Sequence, residues 1–384
     1  MLDLRRGETA AGDEKTAARE LADQIGNAEA AFALVFTSCA YDPDKIALEL
    51  TRALAPVPVF GCTSIGEIGA KGFGRGGIVG LTMAANKLRV GVGCVANISK
   101  GALSAGHQAV NDAIRGMGAT PEDLATARHV ALCLVDWRSQ SEELFIAGAG
   151  ATSPGLSIIG GSASDDAPFA PEAGGHESRI LCHGEAIADC GLILLLETDV
   201  PFKVIATEHM VAKQGRVVVT KTDPANRLVH ELDGRPALER YKEIMGAGDE
   251  MDSPLAGTMP FGYYVEGRPY VRSVMAVEGN SLRFACGVDR GTVLVPMEPG
   301  EMIPATEAAL AEAQADLGGE MSALIAFSCY GRFLETERDG LTQAVGDVLS
   351  KYPVVGFNTF GEQINTLHVN HTLTGLAFGT HDGG

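Results

Sequence analysis

The chain has 384 residues, a formal charge of −19, 46% apolar and 6% aromatic residues. That length suggests two or three domains with a sizeable core, and the composition excludes a disordered chain. The acidic balance argues against a nucleic-acid backbone or an anionic membrane as the main partner. The longest apolar runs, such as Val130–Val135 and Gly191–Leu196, fall far short of the roughly 20 residues of a membrane span. The two N-terminal arginines are followed by no apolar segment of a secretory signal. Eight scattered cysteines without a Cys-x-x-Cys pair fit reduced thiols better than a disulfide framework. The expectation is an acidic protein of the cytoplasm.

In chain order, three stretches share one sequence of elements. In the first, a strand at Phe32–Phe36 ends at Thr37-Ser38-Cys39. A helix over Asp44–Leu54 follows, with Ile46, Leu50 and Leu54 on one face. A strand at Val57–Phe60, a loop Gly61–Glu67 and a closing strand at Ile78–Met83 complete the unit. In the second, strand Val130–Val135 ends at Asp136-Trp137 and is followed by a helix over Ser141–Ala149. Strand Leu156–Ile159 then runs into Gly160–Asp166, and Gly191–Leu196 closes the unit. In the third, Ala323–Phe327 ends at Ser328-Cys329, with a helix over Leu341–Ser350. Strand Pro353–Val355 leads into the loop Gly356–Glu362, and Thr372–Phe378 closes. Each spacing leaves room for one helix crossing back to a parallel neighbour.

Between the second and third units the texture changes. Strands at Phe202–Thr207 and Arg216–Thr222 are joined by a loop at Val211–Gly215. An Asp233-Gly234 turn precedes a helix over Pro236–Met245. Tyr263–Glu266, Pro269–Val277, Ser281–Val288 and Thr292–Met297 read as an antiparallel meander, and Ile303–Leu317 as a helix. The expected fold class is α/β: repeated strand–helix–strand–strand units forming mixed sheets, with an antiparallel meander in the C-terminal half. The expected domains are residues 1–198 and 199–384.

Glycine-bracketed loops at strand ends let a backbone approach a ligand, while hydroxyls and a carboxylate set its polarity. Gly61–Glu67 and Gly356–Glu362 have that form. Glu67 and Glu362 are candidates to hold an amine, beside Ser64 and Thr359, with Ser162 and Asp165 in the second copy. The adjacent Asp165-Asp166 lack the D-x-D-x-D-G series of a calcium loop. Gly72–Gly77 satisfies G-x-G-x-x-G, but Ile78–Met83 reads as a strand where a phosphate loop needs a helix, so a hairpin is expected. Walker A, H-E-x-x-H and G-x-S-x-G motifs are missing. Cys39, Cys62 and Cys329 lie near the expected cleft, so a thiol hydrolase of small amides is one alternative, although no motif marks its base. His368 and His371 could serve as such a base, or as an axial haem ligand. Arg272 and Arg332 lie in or just after apolar strands, where a guanidinium answers either an internal carboxylate or a ligand's.

These residues resemble the FIST (F-box and intracellular signal transduction) proteins. The N-terminal pattern of that family is similar to Phe36–Asp42, Phe60–Glu67 and Gly72–Leu81. The C-terminal pattern is similar to Leu232–Ala237 with Tyr241, Tyr270-Val271-Arg272, Phe327–Arg332, Val355–Glu362 and His371-Thr372. The resemblance implies a sensory protein of signal transduction that binds a small ligand, with amino acids proposed, and carries no family catalytic residues over. Some bacterial members are similar to haem-based nitric-oxide sensors that regulate a histidine kinase, which makes haem and a kinase the implied alternatives. No stretch is left for a kinase or cyclase, so output through a separate partner is expected.

Overall fold

The computed structural model describes residues 2–166, 176–246, 259–265 and 267–380. The polar-capped helix Pro43–Ala53 illustrates how local sequence sets the elements. Asp42 accepts from the amides of Asp44 and Lys45 at 3.1 and 3.2 Å, Pro43 opens the first turn, and Ile46, Ala47 and Leu50 are buried.

Each of the three repeats is longer than its sequence pattern. The full unit is an edge strand, a helix, a strand, one or more helices, a parallel strand, a short hairpin and an antiparallel closing strand. In the first repeat the edge strand is Leu2–Thr9 and its helix Glu14–Ile25; in the second they are Arg89–Ala96 and Ala102–Gly116. In the third, Phe202–Thr207 and Met302–Asp316 play these parts, so the meander is an insertion inside the third repeat, not a segment ahead of it.

The central strands pair in parallel as expected: Phe32–Ser38 with Val59–Ser64, His129–Asp136 with Ser157–Ala163, and Met321–Cys329 with Val354–Thr359. The registers align Gly61, Gly160 and Gly356, opposite Val35, Cys133 and Ala326. A Cβ on these glycines would lie 1.7, 1.7 and 2.1 Å from the facing carbonyl oxygens, so the close approach of the two strands admits nothing larger.

Two expected loops are therefore strands. Gly61–Ser64 and Gly356–Thr359 continue the ladder, and the glutamates open the following hairpins, Glu67–Gly69 with Gly72–Gly74 and Glu362–Ile364 with Leu367–Val369. The hairpin expected at Gly72–Gly77 is present. Asp165-Asp166 do not correspond to those glutamates. Ile180 does, since it faces Cys62 as Glu67 faces Phe357 and Glu362 faces Gly161.

Each hairpin joins the sheet of another repeat. The first repeat's pairs with Val354–Thr359 of the third, the second's with Val59–Ser64 of the first, and the third's with Ser157–Ala163 of the second. Three six-stranded sheets are thereby linked in a ring. Their inner faces share one core, where Phe36 lies 4.6 Å from Phe357 and 6.3 Å from Phe327 between ring centroids.

The insertion forms a sheet whose edge strands, Arg268–Arg272 and Val274–Glu278, are separated in sequence by Ser273 alone, so the sheet curls back on itself. Ser273 thus splits the single strand expected over Pro269–Val277. Part of the loop expected at Val211–Gly215 is strand Met210–Ala212, and Glu266 lies outside the described residues. Helix Tyr330–Arg338, directly after Cys329, was not signalled by the apolar pattern. Arg227 anchors the insertion to helix Glu142–Thr152 by bridging Glu142 and Glu143. No helix among the described residues is long and apolar enough to cross a membrane.

Candidate functional site

The turn into each closing strand holds a residue with positive φ: Gly76 at 78°, Asp189 at 47° and His371 at 57°. A buried carboxylate ties each turn down. Glu67 accepts from the Gly77 amide at 3.1 Å, Asp136 from the Asp189 amide at 2.7 Å, and Glu362 from the Thr372 amide at 3.3 Å. This shared role is structural. What surrounds each carboxylate differs.

In the first repeat both oxygens are engaged, since Ser64 Oγ donates to the other Glu67 oxygen at 2.5 Å. Burial still pushes the Glu67 carboxyl up to about 7. In the third repeat the Thr372 amide and hydroxyl both donate to Oε2 of Glu362, and Oε1 is left without a partner. Burial drives this carboxyl well above its ordinary value. The Cys329 thiol stands beside it, near enough to affect its ionisation, and is itself pushed up by burial and then by the glutamate's charge.

The helix Tyr330–Arg338 brings Arg332 and Glu335 to the same place. Arg332 is 1% exposed; one terminal nitrogen donates to Thr306 Oγ1 at 2.5 Å, while Nε has no partner. Burial lowers this guanidinium to about 10, against the opposing charges of Glu335 and Glu362. Glu335 meets His209 Nε2 at 3.0 Å through both oxygens. Its Oε2 lies 4.0 Å from His371 Nδ1, and neither ring nitrogen of His371 has a hydrogen bond. Burial first, then the charges of His209 and Arg332, hold His371 down to about 3, so it is neutral. A Cβ on Gly331 would stand 2.9 Å from His371 Nε2, which makes this glycine a seat for the ring.

A second polar group continues the belt. Gln363 Nε2 donates to Ser162 Oγ at 3.0 Å and lies 3.2 Å from His368 Nδ1, while His368 Nε2 has no partner. Burial depresses His368 to about 4. Arg272 donates to the His368 carbonyl at 2.8 Å and to the Tyr263 hydroxyl at 2.9 Å, with its guanidinium 4.5 Å from the Tyr263 ring centroid. Its hydrogen bonds go to neutral groups rather than to a carboxylate.

Two small cavities flank the belt where the insertion meets the third repeat. One, of about 40 Å³, is lined by His209, Tyr270, His371 and Thr372 among others. The other, of about 30 Å³, is lined by Cys329, Tyr330, Thr359, Asn370 and Ser273 among others.

Of the sequence candidates, Cys329, Arg332, Glu362, His371 and Thr359 come together here, with Ser162, His368 and Arg272 adjoining. The remaining candidates, Cys39, Cys62, Ser64, Glu67 and Asp165, belong to the first and second repeats. Thr359 is anchored locally, donating to the carbonyls of Ser162 and Gly361 at 2.8 Å. Cys62 is a core residue whose thiol burial pushes well up, and Cys39 is pushed up to about 12 by burial and the Asp166 charge. Asp165 is held by Arg138 Nε at 2.7 Å and Trp137 Nε1 at 3.0 Å. Glu335 and His209 escaped the sequence reading. Glu335 could have been found from its i+3 spacing to Arg332 once a helix was recognised; His209 carries no local signal.

In this arrangement haem does not fit beside either histidine. Both rings are wholly buried, and cavities of about 40 and 30 Å³ are far below the roughly 300 Å³ or more of a cofactor pocket. Among the described residues, no group of three or more His, Cys, Asp or Glu side chains is arranged to hold a metal ion.

The architecture is that of a three-repeat α/β ring whose last repeat carries an inserted sheet over a buried polar junction. Residues 31–235 match the FIST N domain and residues 237–365 the FIST C domain, and the chain belongs to the FIST family. FIST domains are associated with sensing in signal transduction. An uncharacterized protein of Methanocaldococcus jannaschii is 25% identical over 280 residues, 63% of this chain and 52% of that protein. The chain thus spans about half the length of the curated relative it matches. Among solved structures it is similar to a cyanuric acid hydrolase from A. caulinodans, with TM-score 0.40, 11% identity and coverage of 99% of this chain and 100% of that one. A second cyanuric acid hydrolase structure gives TM-score 0.35 and 10% identity over 98% of this chain and 100% of that one. Likeness at that level carries no functional argument.

Proposed function

We propose that this protein is a sensor that binds a small polar ligand at the junction of the third repeat and its insertion, and passes the resulting change to a separate partner. The observation that carries this reading is the contrast between two equivalent glutamates. Glu67 has both oxygens engaged, whereas Glu362 sits among partnerless polar atoms: its own Oε1, Arg332 Nε and both nitrogens of His371. Buried polar groups are ordinarily satisfied, and a concentration of exceptions supports a binding role.

The chemistry suits a ligand carrying an amine and a carboxylate, which makes amino acids the first class to test. An incoming ammonium favours the ionised form of Glu362, and Arg332 is the complementary cation for a carboxylate. Cavities of this size hold no more than a few waters, so ligand entry requires the insertion to shift against the repeat. That shift is the signal, with an amplitude set by the ligand's differential affinity for the two arrangements. The environment of Cys329, whose thiol is raised rather than activated, supports binding over thiol hydrolysis.

The test is a thermal-shift screen of the purified chain with the common amino acids. At least one ligand should raise Tm in the natural protein and in Glu67→Gln, and fail to do so in folded Glu362→Gln and Arg332→Met. A shift of equal size in all four proteins would remove this site from consideration.

A further inference from the structure

Three thiols meet at a place unrelated to the polar belt. Cys94 lies on Arg89–Ala96, the edge strand of the second repeat's sheet, and is partly exposed. Its Sγ is 3.4 Å from Cys190 Sγ on the neighbouring closing strand, where Cys94 faces Leu192 and Cys190 faces Ala96. The two cysteines are therefore diagonal neighbours on one face of an antiparallel pair. Cys182, on the hairpin strand Ile180–Cys182 that pairs with the first repeat, also reaches Cys94.

We propose that Cys94 and Cys190 form a peroxide-oxidisable pair that closes to an intramolecular disulfide. Cys94 is the entry point because it is the partly exposed member, while Cys182 and Cys190 are buried. Hydrogen bonds from Cys182 and then Cys190 favour the Cys94 thiolate, which holds its thiol below the ordinary value and leaves the other two raised. The Cys94 thiolate attacks one oxygen of hydrogen peroxide, the O–O bond breaks, and a sulfenic acid and hydroxide result. The Cys190 sulfur then attacks the sulfenic sulfur, and the S–O bond breaks with loss of a second hydroxide. The two thiol protons convert both hydroxides to water. The balance is two thiols and one peroxide to one disulfide and two waters.

Closing the sulfurs from 3.4 Å to the bond length of about 2.0 Å requires side-chain rotation and, because diagonal positions of an antiparallel pair lie about 7–8 Å apart, a drawing together of the two strands. Arg89–Ala96 is an edge strand, paired on one side only among the described residues, with Gly91 and Gly93 seating it closely on helix Ala102–Gly116. The pair has no place in the ligand site and would respond independently of it.

The experiment is peptide mapping of the full chain under non-reducing conditions after graded hydrogen peroxide. The expected result is one crosslinked peptide pair containing Cys94 and Cys190, reversed by dithiothreitol. Cys94→Ser should abolish the crosslink, and Cys182→Ser should leave it in place. In Cys190→Ser, Cys94 should be trapped by a sulfenic-acid reagent. Peroxide that carries Cys94 directly to sulfinic acid, joins it to Cys182, or leaves it alkylatable at its starting rate would overturn the proposal.

Discussion

Replacing Glu67 by glutamine should make the protein more stable at neutral and alkaline pH and leave it unchanged in acid. The carboxyl is 2% exposed, and its value rises from 4.5 to about 7 through burial. Below pH 4.5 the group is protonated in both the folded and the unfolded chain and contributes no difference. Between 4.5 and 7 the folded chain keeps a proton that the unfolded chain releases, so stability falls as pH rises. Above 7 the full cost of the buried anion is present: about 2.5 pH units at roughly 1.4 kcal/mol each, or about 3 kcal/mol. Glutamine can retain both contacts, accepting from the Gly77 amide and donating to Ser64, whose hydroxyl is able to turn round. Urea unfolding of both proteins at steps from pH 4 to 8 measures the difference. Curves that separate by the same amount at every pH, or a variant weaker than the natural protein at pH 8, would refute the reasoning.

Other predictions follow from the same geometry. Gly356→Ala should cost about 1–3 kcal/mol or prevent folding, since its Cβ would lie 2.1 Å from the Ala326 oxygen; urea midpoints report it. His371→Asn keeps a residue tolerant of positive φ but removes a ring held down to about 3. A histidine buried neutral makes folding weaken as pH falls from about 6.5 toward its folded value, so this variant should lose less stability over that range than the natural protein, as circular dichroism melts can show. Arg227→Met leaves Glu142, 0% exposed, and its neighbour Glu143 without their cation, and should cost about 3–5 kcal/mol at neutral pH. A smaller loss at pH 5 should follow, because Glu142, raised by burial to about 7, is neutral there and no longer needs the partner. Equal loss at both pH values would contradict that assignment.

The central strands and their crossing helices were legible because each is a short apolar run with a helical apolar face behind it. Val130–Val135 and the trio Ile46, Leu50 and Leu54 are all buried. The aligned glycines were legible as loop markers, but their cause, the approach of a facing carbonyl, is a tertiary fact. The edge strand Leu2–Thr9 was hidden because it is half-exposed and carries four charged residues, Asp3, Arg5, Arg6 and Glu8. Helix Tyr330–Arg338 was hidden because its buried face includes Arg332 and Glu335, which a hydrophobic pattern scores as surface. Most of the site was therefore visible as chemistry without a location. The distinction between Glu67 and Glu362 was invisible, because Gly-x-x-x-x-Gly-Glu is the same string in both repeats and each glutamate accepts from an amide ten residues on, while only the structure shows Ser64 turned to Glu67 and Thr359 turned to the carbonyls of Ser162 and Gly361.

The exchange of hairpins has a consequence for how this chain can be divided. Each repeat supplies the cover for one neighbour's open sheet edge and receives its own cover from the other. Cutting out any one repeat would uncover a ladder of unpaired amides elsewhere and orphan a hairpin with nothing to lie against, an invitation to exchange between molecules. The unit of folding is thus the closed circuit of three, and a fragment holding two repeats should assemble with copies of itself. The same circuit would give the proposed movement of the inserted sheet more than one exit, since the hairpin that carries Glu362 is rooted in the third repeat and seated in the second.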